Sequence, residues 1–135
     1  MTERTLAIIK PDAIIAKHVG NIIDIIENND FDILRMRKTH LTKEEAEQFY
    51  AIHKGKPFFD ELVSFMISGP VILLGLEKDN AVQAWRDLMG DTNPANATPG
   101  SIRNLYGTSI GSNAVHGSDV PETAKQELAF FFPCL

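Results

Sequence analysis

Cysteine is nearly absent from the 135-residue chain: Cys134 is the single thiol, so no internal disulfide can form and nothing requires an oxidising compartment. With one cysteine, and no pair among the four histidines at ligand spacing, a structural zinc site is also excluded. Long apolar runs are missing. The longest, VILLGL at 71–76, is far too short to cross a bilayer, and the opening MTERTLAIIKPDA has no signal-peptide hydrophobic region. A soluble cytoplasmic protein with no membrane partner is the expectation. Positive charge is in deficit, with 13 Lys and Arg against 18 Asp and Glu and a formal net charge of −5. That is the wrong sign for a phosphate-tracking nucleic-acid binder, and no nucleic-acid partner is expected. A small polyanion remains admissible wherever a few cations converge.

The familiar phosphate cradles are missing as well. No G-x-x-x-x-G-K-[ST] occurs, Gly55-Lys56 being followed by proline, and neither G-x-G-x-x-G nor the hydrolase elbow G-x-S-x-G is found. What is present is ordinary globular material, 44% apolar and 23% charged. Without repeats, linkers or low-complexity tracts, residues 1–135 read as one domain.

Thr5 to Ile9 is an apolar run ended by Lys10-Pro11, a buried strand. Gly20 to Asn28 spaces isoleucines as an amphipathic helix. Residues 32–38 alternate, with Leu34 and Met36 on one face and Arg35 and Arg37 on the other, as in a half-buried strand. Thr42 and Glu45 form a capping box opening a helix to about His53, and DELVSFMI resumes helical spacing until Ser68-Gly69-Pro70. Val71 to Leu76 is a second buried strand, and Asp79 is expected to cap a helix that Gly90 ends. SIRNLYG allows one helical turn, Pro121 starts a last helix, and Phe130-Phe131-Phe132 is expected to form a final strand. The order matches an α+β sandwich of the ferredoxin-like βαββαβ kind, a four-stranded antiparallel sheet with helices packed on one face.

Polar residues remain at the ends of these elements. Lys10 leaves the first strand, Arg86 lies on a helix, Arg103 follows a Pro-Gly, and Asn113 and His116 share the loop NAVHGSD. Taken singly, each also fits a plain structural role. Lys10 and Arg86 can be solvated charges, Phe58-Phe59 core, and Asn113 and Ser118 turn residues bonding nearby backbone. His18, His40 and His53 read as surface or locally satisfied histidines. His116 can be a turn filler, a metal ligand or a reactive imidazole, and spacing alone leaves all three open.

Taken together, Lys10-Pro11-Asp12, Lys56-Pro57-Phe58-Phe59, Ser68-Gly69-Pro70, Thr92-Asn93-Pro94-Ala95 and Asn113 through Asp119 resemble the nucleoside diphosphate kinase family. The blocks come in that family's order over nearly the whole chain, and as a set they are highly specific. The resemblance implies transfer of the γ-phosphate of a nucleoside triphosphate to a nucleoside diphosphate, ping-pong, through a phosphohistidine at His116. An imidazole is a competent nucleophile near neutrality without a separate base. A covalent intermediate lets one site serve donor and acceptor in turn.

Residue by residue, the resemblance places Lys10 at the transferred phosphate and ribose, with Tyr50 near that phosphate. It sets Arg86, Thr92 and Arg103 on the other phosphates, Asn113 on the sugar and Phe58 on the base, opposite Ile110. Ser118 and Glu127 would orient the imidazole, Glu127 accepting from the nitrogen that does not attack, while Gly117 leaves room around the ring. Mg²⁺ would arrive on the nucleotide phosphates with no metal ligand from the protein. Stacking on Phe58 implies broad base tolerance, and both ribose and deoxyribose substrates are expected. A symmetric homo-oligomer, tetramer or hexamer, is the implied assembly. Three positions depart from the family's usual pattern: Val120-Pro121 where Ser-Val is common, Leu105 where aspartate is frequent, and Ser112 where some members carry arginine. None falls among the proposed ligand contacts.

Overall fold

A computed structural model of the chain describes residues 2–135. Two central strands set the architecture. β1 (Thr2–Ile9) and β3 (Val71–Asp79) pair antiparallel over eight positions, from Thr2 opposite Asp79 to Ile9 opposite Ile72. β2 (Asp32–Thr39) flanks β3 and β4 (Val115–Gly117) flanks β1, both antiparallel, giving the order β2-β3-β1-β4. This is the ferredoxin-like α+β sheet.

Helices cover both faces of it, where the sequence reading placed them on one. The reason lies in β1 and β3 themselves. Along β1, Ala7 and Ile9 join one core with Ile22, Ile26, Trp85 and Met89, from α2 (Val19–Asn28) and α5 (Ala81–Met89). Leu6 and Ile8 point the other way, into a second core with Ala46, Val63, Met66, Leu128 and Phe131. These come from α3 (Lys43–Phe49), α4 (Phe59–Met66) and α7 (Pro121–Phe131). An unbroken apolar run in a strand is the signature of two covered faces.

Most of the expected elements are present. Thr42 and Glu45 form the capping box: Thr42 Oγ1 accepts from the Glu45 amide at 3.1 Å and Glu45 Oε1 from the Thr42 amide at 2.9 Å. The helix it opens stops at Phe49, and a single 3₁₀ turn, Ala51–His53, replaces the expected last turn. Gly90, at φ 86°, ends α5 as expected.

The start of α5 differs. Asp79 closes β3, the left-handed Asn80 (φ 54°) turns the chain, and Glu3 of β1 reaches across to accept the Val82 amide at 2.9 Å. In β2 a bulge between Ile33 and Arg35 interrupts the alternation, so Met36 is 59% exposed and the strand is less buried than its pattern implied.

Phe130 and Phe131 continue α7 and do not form a strand. Leu128 and Phe131 join the second core from one helical face, and Ala124 is buried beside them. The fourth strand is the short β4. Two further short helices, α1 (Pro11–Ile15) and α6 (Ile102–Tyr106), flank the strand ends that build the site.

Candidate active site

His116 is held by the sheet. β4 pairs His116 with Ile8 of β1, and the indole N–H of Trp85 donates to the His116 carbonyl at 3.1 Å. The ring is fixed from behind. Its Nε2 lies 3.2 Å from Glu127 Oε1, which also accepts from the Ser118 hydroxyl at 2.7 Å. An ionised carboxylate can only accept, so this contact places the ring proton on Nε2 and leaves a lone pair on Nδ1. Phe49 and Tyr50 meet the imidazole edge-on, with centroids 5.3 and 6.2 Å away. The side chain is 19% exposed, reachable yet oriented.

The backbone beside it is equally constrained. A Cβ on Gly117 would fall 2.4 Å from Trp85 Cδ1 and 2.6 Å from Met89 Cε, and Trp85 is fully buried. A rigid buried indole cannot yield as a flexible side chain would. Gly117→Ala is therefore expected to cost about 2–3 kcal/mol of stability through overpacking. It should also loosen the Trp85 bond to His116. A urea melt with a midpoint within error of wild type would contradict this account.

The imidazole opens on a cavity of about 850 Å³ whose wall also carries Lys10, Tyr50, Arg86, Arg103 and Asn113. Lys10 is only 8% exposed, and its ammonium donates to Asn113 Oδ1 at 2.9 Å. Burial, reinforced by the nearby Arg103 charge and opposed by Asp12, lowers its pKa from 10.5 to about 8. Arg103, also 8% exposed, donates to the carbonyls of Gly90 (3.1 Å) and Val115 (2.9 Å), while its buried Nε has no partner among the described residues. Its pKa is lowered by burial and then by Arg86, with Asp91 opposing. Arg86 is more open and pairs with Asp119 at 3.0 Å.

Tyr50 completes this polar end. Its hydroxyl is buried without a partner among the described residues, and burial, then Glu127, pushes its pKa up, so it stays a neutral donor. Cations crowded against one another beside an open volume favour an anion in it. Phe58, 47% exposed, and Ile110, 60% exposed, line the same cavity, as does Thr92, whose carbonyl accepts from Asn113 Nδ2 at 3.0 Å.

Ten of the residues given a role by the resemblance thus share one cavity wall, Ile110 and Gly117 among them, while Ser118 and Glu127 stand behind His116. His18, its ring tilted against Tyr106 with centroids 4.5 Å apart, and His40, bonded to the Ile67 carbonyl at 2.6 Å, have the local roles expected of them. His53 has its local partner too, Lys56 Nζ lying 3.3 Å from its Nδ1, and in addition it lines the cavity between Tyr50 and Phe58. Its position three residues after Tyr50, within one helical turn, was the available signal.

A four-stranded α+β sandwich that gathers three cations, an aromatic rim and an oriented imidazole around one cavity is built to handle a polyanion. The chain belongs to the nucleoside diphosphate kinase family, whose model matches residues 3–134, and it is a phosphotransferase. A nucleoside diphosphate kinase of Geotalea daltonii is 57% identical over 133 residues, spanning 98% of this chain and 97% of its own. One of Chlamydia abortus is 55% identical over 130 residues, spanning 96% and 92%. Among solved structures, the Aquifex aeolicus nucleoside diphosphate kinase superposes with TM-score 0.96 at 42% identity, covering 98% of this chain and 96% of that one. The Halobacterium salinarum enzyme in complex with CDP gives 0.94 at 38% identity, covering 98% and 88%. Among the described residues, no helix is long and apolar enough to cross a membrane.

Proposed function

We propose that the chain moves the γ-phosphoryl group of a nucleoside triphosphate to a nucleoside diphosphate through a phosphohistidine at His116. The observation that carries this reading is the imidazole whose Nε2 is held by Glu127 while its ring opens on the cavity shared with Lys10, Arg86 and Arg103. In the first half-reaction the Nδ1 lone pair attacks the γ-phosphorus. The N–P bond forms, the bond to the β–γ bridging oxygen breaks, and the diphosphate leaves with that electron pair. In the second, a β-phosphate oxygen of the incoming diphosphate attacks the same phosphorus and the N–P bond breaks. Glu127 stabilises the positive charge that develops on the ring.

Phosphoryl transfer asks chiefly for alignment and for cations around spreading negative charge. Lys10 and the Tyr50 hydroxyl would meet the transferred group, Arg86, Arg103 and Thr92 the remaining phosphates, and Asn113 the sugar. A base between Phe58 and Ile110 would be held by its π-face, which supports broad base specificity. Mg²⁺ would travel on the nucleotide phosphates. Asp91 and Asp119 on the cavity wall can accept from water bound to such an ion, and no three potential ligands cluster among the described residues. When bound, the ion would neutralise phosphate charge as a Lewis acid. A cytoplasmic homo-oligomer, tetramer or hexamer, completes the reading.

The test is incubation with γ-labelled triphosphate and no acceptor. Acid-labile, alkali-stable label should appear on the protein and leave when any nucleoside diphosphate is added. Wild-type protein that stays unlabelled would end the proposal.

A pH profile tests Lys10 separately. Because the folded pKa is about 8 against 10.5, Lys10 loses its proton in the free enzyme as pH passes about 8, and kcat/KM should show an alkaline limb there. Bound phosphates favour the ammonium, so the limb in kcat should lie higher. Stability moves the opposite way. Between about 8 and 10.5 the unfolded chain holds the proton that the folded one has lost, so the Lys10 contribution to stability rises with pH. Flat activity from pH 7 to 9.5 would show that the charge on Lys10 is not used.

A further inference from the structure

One carboxylate outside the cavity wall is bonded to the turn that joins Asn113 to the strand carrying His116. The Val115 amide donates back to the Asn113 carbonyl at 2.9 Å, closing a three-residue turn centred on Ala114, whose φ is +73°. A turn of this kind is rare and strained for a residue with a Cβ, and Ala114 is fully buried. Both of its peptide groups are gripped from the start of α1. Its carbonyl accepts the Lys10 amide at 2.8 Å, and its amide donates to Asp12 Oδ2 at 3.0 Å, 102 residues away in sequence. Asp12 lies in the first turn of α1 but makes no cap bond there; the helix has no side-chain cap at all. On one side of the turn stands Asn113, bonded to Lys10 Nζ, and on the other β4, which carries His116.

We propose that Asp12 is a positioning residue: it holds the strained Ala114 turn closed and thereby sets Asn113, Lys10 and His116 in register with one another. The inference rests on the phosphotransfer reading above. Removing the carboxylate leaves the Ala114 amide without its acceptor, and the turn can relax toward ordinary backbone. Asn113 and His116 then shift against Lys10. A displacement of about 1 Å between reacting groups costs on the order of 100-fold in rate.

The experiment is a set of phosphate-exchange assays on Asp12→Ala, Asp12→Asn and the double variant Asp12→Ala with Ala114→Gly, each with its urea midpoint. Asp12→Ala should lose about 100-fold in kcat. Glycine adopts positive φ without the Cβ penalty, so the double variant no longer needs the clamp and should regain at least about tenfold of that loss. A residue that merely supported the fold would show no such rescue.

Asp12→Asn keeps an oxygen for the Ala114 amide and should lose less than about tenfold. It removes the negative charge that supports the Lys10 proton against burial and Arg103, with His116 and Tyr50 facing from across the cavity. Its alkaline limb should therefore move to lower pH. Wild-type kcat in a folded Asp12→Ala, or a folded double variant with no recovery, overturns the proposal. If Asp12→Ala does not fold, the asparagine variant decides: a rate within about tenfold of wild type supports the clamp, and a loss near about 100-fold in folded protein overturns it. Wild-type protein that fails to exchange phosphate would sink the phosphotransfer reading instead, so the two failures are distinguishable.

Discussion

His116→Ala is expected to lower kcat by on the order of 10⁴-fold or more while leaving nucleoside diphosphate affinity within about threefold. The asymmetry follows from the division of labour in the cavity. On the proposed function Lys10, Arg86 and Arg103 would supply the charge that attracts phosphates, and none of them is bonded to the imidazole. The ring would supply the lone pair, with no second nucleophile beside it among the described residues. Of the other histidines, His18 and His40 are engaged in local contacts, and His53 sits between Tyr50 and Phe58. Glu127, relieved of its ring partner, keeps the Ser118 hydroxyl and remains satisfied, so the variant should fold. Titration calorimetry for the diphosphate and a steady-state exchange assay give the two numbers. A variant that binds as wild type and still turns over within tenfold would show that the phosphate passes directly between nucleotides.

How far the sequence reveals this site depends on the distance over which each residue acts. Where a pattern is local, reading succeeds. The Thr42–Glu45 box, the isoleucines of α2 and the Gly90 stop are all settled within a few residues of chain, and each is found in place. The last strand fails for the same reason. Three residues of β4 carry too little alternation to be seen, whereas Phe130-Phe131-Phe132 has the β-forming composition that tertiary packing overrides, drawing Phe131 onto the helical face with Leu128. Glu3 takes the capping role expected of Asp79 because the partner of the Val82 amide arrives across the sheet, 79 residues away.

The site residues themselves were legible through the resemblance of their motifs, not through periodicity. Lys10 and Arg103, with a solvated charge as the plain alternative for Lys10, are buried charges whose burial no single-residue rule could supply. Asp12 stands in the Lys10-Pro11-Asp12 motif with no role legible in sequence, because the amide it accepts from belongs to Ala114, 102 residues away at a positive φ.

Arg103→Ala is expected to reduce kcat/KM by about 10²- to 10³-fold, the cost of removing one preorganised donor from a site of developing charge. Two further effects separate this variant from a generic loss. First, the carbonyls of Gly90 and Val115 lose their donors. Stability should drop by about 1–3 kcal/mol, since buried acceptors left unpaired cost that much. Second, Lys10 is held near 8 by burial and, after that, by the Arg103 charge, with Asp12 opposing. Taking Arg103 away removes a positive charge that disfavours the ammonium, so the Lys10 pKa must rise and the alkaline limb of kcat/KM should move above 8. Arg103→Lys tells charge from shape. It retains the positive charge, so the limb should stay near its wild-type position. One ammonium cannot reproduce the planar fork that spans two carbonyls and still offers an edge to a phosphate, so kcat/KM should fall nonetheless. An alanine variant with an unmoved alkaline limb would mean that Lys10 and Arg103 do not share one electrostatic site, and the cavity would lose its claim to hold a polyphosphate between them.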